Sequence, residues 1–171
     1  MSNKPSDSEL IAKVSLFSGM NSEMRAEVAD YIGTARFKAG DMILKEGETG
    51  DELLILVEGK VEISQTLVMR GEDQDFEEKD KTLIVLEADS LPIFGEMALL
   101  ERSTRTATVK AIGDCVTRTL QRDRFVKFCL KNPQAGLIAT KNLAVMISNR
   151  LRKANQDVLK LTTALSIVLK R

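Results

Sequence analysis

Between Thr34 and Leu120 the chain is written in short apolar runs separated by glycine, and this texture restricts the fold more than any other feature. Met42 to Leu44, Leu53 to Val57 and Val61 to Ile63 are too short for stable helices and suit strands. Gly40, Gly47, Gly50 and Gly59 stand between them, where turns with positive φ need a residue lacking Cβ. The pattern predicts an all-β barrel or sandwich.

Inside this region, Phe94 to Val109 carries the chemistry. Gly95 lets a backbone approach a ligand, Glu96 follows at once, and Arg105 returns nine residues later beside the hydroxyl of Thr106. A short helical turn opened by Gly95 aims the free N–H groups of Glu96, Met97 and Ala98 at one spot and favours negative charge there. Arg105 closes the same spot with two parallel donors suited to phosphate oxygens. Glu96 is repelled by a phosphate, so its acceptor oxygens suit a hydroxyl one sugar width away. The residues imply a ligand with one phosphate and a ribose. A surface ion pair between Glu96 and Arg105 is the other reading, and such a pair is worth little.

Phe94-Gly95-Glu96-Met97-Ala98-Leu99-Leu100, a short loop, and Arg105-Thr106-Ala107-Thr108-Val109 resemble the phosphate-binding cassette of the cyclic-nucleotide-binding domain family. That family includes bacterial catabolite activator proteins, regulatory subunits of cyclic-nucleotide-dependent kinases, and the cytoplasmic gates of some channels. Gly40-Asp41, Gly47-Glu48 and Gly50-Asp51, followed by Leu53 to Ile63, are similar to the family's barrel entrance. Thr104 stands where proline is usual, and Ser90-Leu91-Pro92-Ile93 replace a common Gly-Asp lead. The resemblance implies a mainly β protein with flanking helices, a double-stranded β-helix (jelly-roll) barrel followed by a long C-terminal dimerisation helix. It implies cAMP or cGMP as ligand. Gly95, the amides near Met97 and Ala98, Arg105, Thr106 and Ala107 would then form the phosphate site. Glu96 would take the ribose hydroxyl, Ile63 and Leu83 the base face, and Asn155 the base edge. In catabolite activators a Thr and then a Ser or Asn reach the base from the dimer helix; here Ala154 replaces the Thr and Asn155 matches. That loss, with Thr106 after the cassette arginine, leaves cAMP and cGMP both open.

Composition narrows the function classes. Of 171 residues, 25 are Lys or Arg and 25 are Asp or Glu, so no basic field points to DNA. There is no histidine, which removes the commonest general base and metal ligand and weighs against an enzyme. Cys115 and Cys129 lack the paired spacing of a metal or cluster site. We therefore expect no metal and no cofactor. No apolar run has the length of a signal peptide or a membrane span, which predicts a cytoplasmic protein without a membrane partner.

The flanks are helical. Residues 1–8 are polar and expected to be loose. From Glu9, the spacing of Leu10, Ile11, Val14, Leu16 and Phe17 predicts a helix ending near Gly19. Asn21 or Ser22 then caps a second helix with Met24, Val28 and Tyr31 on one face. Residues 9–133 are read as the barrel domain with these helices. Within it, Arg70 to Lys81 reads as a charged hairpin tip between strands Gln65 to Met69 and Thr82 to Leu86. Asp123 is expected to cap a helix holding Phe125, Phe128 and Leu130 and ended by Asn132-Pro133.

Residues 134–171 read as one helix on the order of 50 Å long. Ile147, Leu151, Ala154, Val158, Leu161, Leu165 and Val168 alternate spacings of four and three, a heptad seam that predicts a homodimer. The competing arrangement packs this helix wholly on its own barrel. The function expected is a cyclic nucleotide sensor whose helix rearranges on binding; with the sequence stopping at Arg171, the expectation is either a regulatory module whose effector is another protein or a piece of a longer gene product. The alternative is a structural adaptor that keeps barrel and coil without binding nucleotide.

Overall fold

The computed structural model describes residues 7–70 and 76–169. Helix α1 (Asp7–Lys13), a 3₁₀ turn (Ser15–Phe17) and α2 (Ser22–Ala29) precede the barrel. The strands are β1 (Gly33–Phe37), β2 (Met42–Leu44), β3 (Thr49–Gly50), β4 (Glu52–Glu58), β5 (Lys60–Arg70), β6 (Phe76–Glu87) and β7 (Ile93–Phe94). A one-turn helix α3 (Met97–Leu100) leads to β8 (Ser103–Thr104), β9 (Thr108–Ala111) and β10 (Cys115–Gln121). Helices α4 (Arg122–Lys131) and α5 (Pro133–Leu169) follow.

Two antiparallel sheets, ordered β1-β10-β4-β7 and β2-β9-β5-β6, build the jelly-roll-like body, and a short β3-β8 ladder stands beside them. Alternation along β4 assigns its side chains to two cores. Leu54 and Leu56 face between the sheets with Leu44, Val61, Phe94 and Val109. Leu53 and Ile55 face outward into a second core completed by Leu16, Phe17, Val28, Phe128 and Leu143. Each fully buried Leu or Phe is worth about 1.5–3 kcal/mol. The helices are therefore welded to the outer face of one sheet, and α5 leaves from that weld.

Several boundaries differ from the sequence expectation. Asp7 and Ser8 already belong to α1, while residues 1–6 lie outside the described part. The first predicted helix divides because the backbone at Val14 is extended, which buries Val14 and turns the chain into the 3₁₀ segment. Asn21 caps α2, its side chain accepting the Met24 amide at 2.9 Å, but Tyr31 lies past the helix and packs on Phe128. The charged tip is shorter than predicted, because residues 76–81 continue β6 in register with β5, Thr66 opposite Asp80 and Gln65 opposite Lys81. Residues 71–75 of that tip lie outside the described part. Asp123 sits inside the first turn of α4, not at its cap, and Leu130 is exposed. Asn132 ends α4 and its side chain accepts the Ala135 amide at 3.4 Å, so Pro133 opens α5 where a missing N–H costs nothing.

Helix α5 has two regimes. Ala135, Gly136, Ala139 and Leu143 are buried, and Met146 and Ile147 pack against the same core. Gly136 crosses Cys129 so closely that a Cβ there would lie 2.8 Å from the Cys129 Cα. Asn142 Nδ2 donates to the carbonyls of Leu16 and Ser18 at 3.0 and 2.8 Å, pinning this half to the 3₁₀ turn. From Leu151 to Leu169 every residue is exposed, including Leu151, Val158, Leu161, Leu165 and Val168 of the predicted seam. The helix is thus not packed wholly on its own barrel. Among the described residues no helix is long and apolar enough to cross a membrane.

Candidate functional site

A cleft of about 180 Å³ opens between the cassette, the sheet edge and α5. Gly95, Glu96, Met97, Ala98, Arg105, Thr106 and Ala107, with Ile63, all line it. Leu44, Phe94, Val109, Ser103, Thr104 and Arg150 complete the wall. Leu83 and Asn155 fall outside it. A register shift between Ile63 and Ser64 pairs Ile63 with Ile84 and Ser64 with Thr82, which leaves Leu83 without a partner on β5 and half exposed. Asn155 stands on the exposed half of α5, past the last residue of that helix to line the cleft.

Arg105 is set by two backbone hydrogen bonds: its amide donates to the Glu48 carbonyl at 2.8 Å, and its carbonyl accepts the Gly47 amide at 3.0 Å. Its guanidinium lies across Gly50, where a Cβ would collide with Nε, Cζ and Nη2. Nη1 donates to the Gly95 carbonyl at 3.3 Å. Gly95 has φ +71°, and a Cβ on it would stand 2.7 Å from the same Nη1. Both glycines therefore make room for one cation, and Gly95 also adopts a backbone that other residues resist. Burial lowers the Arg105 pKa, opposed by Glu52 first and then Asp51 and Glu96. A guanidinium stays charged regardless, so the net result is a fixed cation with unused donors facing the cleft.

Gly95 turns the chain into α3. The Ala98 amide donates to the Gly95 carbonyl at 3.2 Å and is not free for a ligand, because the turn closes on itself. The amides of Glu96 and Met97 have no acceptor among the described residues and remain for one. Glu96 is buried, with its Oε2 2.6 Å from Arg150 Nη1, and Arg150 Nη2 donates to the Ile93 carbonyl at 2.5 Å. A buried carboxylate needs such a partner.

Two positions of the arrangement lay outside the sequence reading of the site: Gly50 as the floor under Arg105, and Arg150 beside Glu96. The signal for Arg150 was present. Leu143, Ile147 and Arg150 follow at spacings of four and three, so the barrel-facing stripe of α5 ends on a cation directed at the cassette.

A profile described as the cyclic nucleotide-binding domain matches residues 34–132, more than half of the chain. The chain belongs to that family. The cAMP-dependent protein kinase regulatory subunit of Dictyostelium discoideum is 33% identical over 121 residues, 71% of this chain and 35% of its own length. This chain thus spans about a third of that relative. Among solved structures, the Thermus thermophilus catabolite activator protein superposes with a TM-score of 0.74 at 26% identity, covering 87% of this chain and 63% of its own. The regulatory domain of Toxoplasma gondii PKA, crystallised with cAMP, gives 0.59 at 26% identity over 86% of this chain and 49% of its own.

Proposed function

We propose that the chain is a cyclic mononucleotide sensor. One observation carries the reading: Arg105 lies half-buried on a glycine floor and lines an open cleft beside two amides without an acceptor among the described residues. A ring-closed phosphate supplies the acceptors for Arg105 and for the Glu96 and Met97 amides. Glu96, held by Arg150, accepts the 2′-hydroxyl of the ribose. The apolar wall of Leu44, Ile63 and Val109 takes the base or sugar face.

Ligand binding reports to α5 through Arg150, because one guanidinium joins that helix to the cassette. Ligand shifts the population toward whichever helix arrangement it contacts better, by no more than that difference in affinity. The exposed apolar seam of α5 supports a second copy of this chain as its partner. A protein effector then reads the helix pair. This account needs no hydrolysis of the ligand, no metal and no contact with DNA, and it suits a cytoplasmic setting.

Thermal denaturation with and without cAMP and cGMP tests the reading against a barrel that binds nothing. A ligand at a hundred times its dissociation constant stabilises by about 2.7 kcal/mol and raises the midpoint by several degrees. Unchanged midpoints with both nucleotides at millimolar concentration contradict it.

A further inference from the structure

Thr106 and Ala107 line the cleft from a bend that no strand pairing holds. The ladder between β5 and β9 runs from Val61 opposite Ala111 to Ser64 opposite Thr108, and stops there. The Ile112 amide donates to the Lys60 carbonyl, which sets the phase of that ladder. Continued in the same phase, its next bond would run from the Thr66 amide to the Thr106 carbonyl. The structure makes a different pair of bonds. The Thr66 amide donates to Glu46 Oε2 at 2.8 Å, and the side chain of Gln65 takes over the Thr106 carbonyl, its Nε2 donating at 2.7 Å. Among the described residues this is the one hydrogen bond that Thr106 or Ala107 makes.

The flanks of the bend are tied from the opposite side. The 46–48 turn holds Arg105 through the Glu48 carbonyl and the Gly47 amide, and the Glu46 amide donates to Thr108 Oγ1 at 3.1 Å. Glu46 therefore serves both sides, because its carboxylate also fixes the backbone next to Gln65. A half-buried glutamine thus does at the bend what a backbone pair does along the ladder.

We propose that Gln65 is a positioning residue of the nucleotide cleft, holding the Arg105–Ala107 bend in the geometry that the ligand meets. The proposal deepens the cyclic-nucleotide reading and rests on it. A cleft wall binds best when its geometry is set before the ligand arrives, since ordering it afterwards is subtracted from the affinity. Without the Gln65 donor the bend is tied only at its Arg105 and Thr108 ends, and the ligand must remove the freedom that Thr106 and Ala107 gain. Thr106 is exposed, so water replaces the lost donor in the free protein and the loss falls on binding more than on the fold.

Gln65→Met keeps the length of the side chain and removes its donor. Two readouts on the full chain at neutral pH separate the donor from mere packing. The first is the amide nitrogen resonance of Ala107 in the ligand-free protein, because that nitrogen shares a peptide bond with the Thr106 carbonyl. The second is titration calorimetry with cAMP and cGMP, with melting curves to establish that both proteins are folded. The Ala107 resonance is expected to move, and affinity for the nucleotide that the wild type binds is expected to fall about three- to tenfold. Unchanged affinity in the folded variant, or an Ala107 resonance that stays in place, overturns the proposal and leaves the cyclic-nucleotide reading standing. A folded wild type that binds neither nucleotide removes that reading, and the positioning role of Gln65 with it.

Discussion

Arg150 of α5 lies 2.6 Å from the buried carboxylate of Glu96 in the cassette, and its other terminal nitrogen reaches the Ile93 carbonyl at 2.5 Å. One side chain thereby joins the ligand cleft to the helix that leaves the barrel. Arg150→Ala strands Glu96 without its cation. Removing one partner of a buried charge pair costs roughly 2–5 kcal/mol, and the lower end applies because Arg150 is half exposed. We expect cyclic nucleotide affinity to fall by about tenfold or more and amide exchange in residues 143–150 to accelerate. Calorimetry and hydrogen exchange read the two effects, and loss of neither contradicts the coupling.

The stability of the protein carries a mark from Glu52. Burial raises its folded pKa above the ordinary value of 4.5, against the opposing pull of Arg105. The folded state therefore holds the proton more tightly than the unfolded one, and Glu52 costs stability as pH rises from that ordinary value through the raised one. Glu52→Gln removes the cost. Its melting midpoint should exceed that of the wild type by roughly 1–3 °C at pH 7, with the difference vanishing near pH 4. A difference that grows on acidification contradicts the assignment.

The distal half of α5 needs a cover. Leu161 and Leu165 are exposed by 70% and 58%, one helical turn apart on the predicted seam. Sedimentation should find the wild type as a dimer at micromolar concentration. Leu161→Asp with Leu165→Asp removes four apolar side chains from the pair and should weaken it on the order of a thousandfold or more. A monomeric wild type contradicts the seam.

The barrel and the cassette were legible in the sequence because each depends on local rules. Glycines at turns and short continuous apolar runs such as Leu53 to Val57 mark the strands, and Gly95, Glu96 and Arg105 are close enough in sequence to read as one unit. The misplacements have a different origin. Leu83 left the cleft through a register shift opposite Ile63 and Ser64, which pairing decides and periodicity does not. Ala98 lost its free amide to a turn closing on Gly95, and Arg150 meets Glu96 across 54 positions of chain, a contact set by how α5 docks. Asn155 fails to line the cleft because the helix carries it past the barrel.

The central claim is that Arg105 holds a phosphate. Titration calorimetry with cAMP and cGMP on the wild type and on Arg105→Ala addresses it directly, with melting curves to establish that both are folded. Saturable binding by the wild type and at least a hundredfold loss in the variant is the predicted result, consistent with removing a desolvated charge from its partner. Equal affinity in the two proteins, or no heat of binding in either, would contradict it.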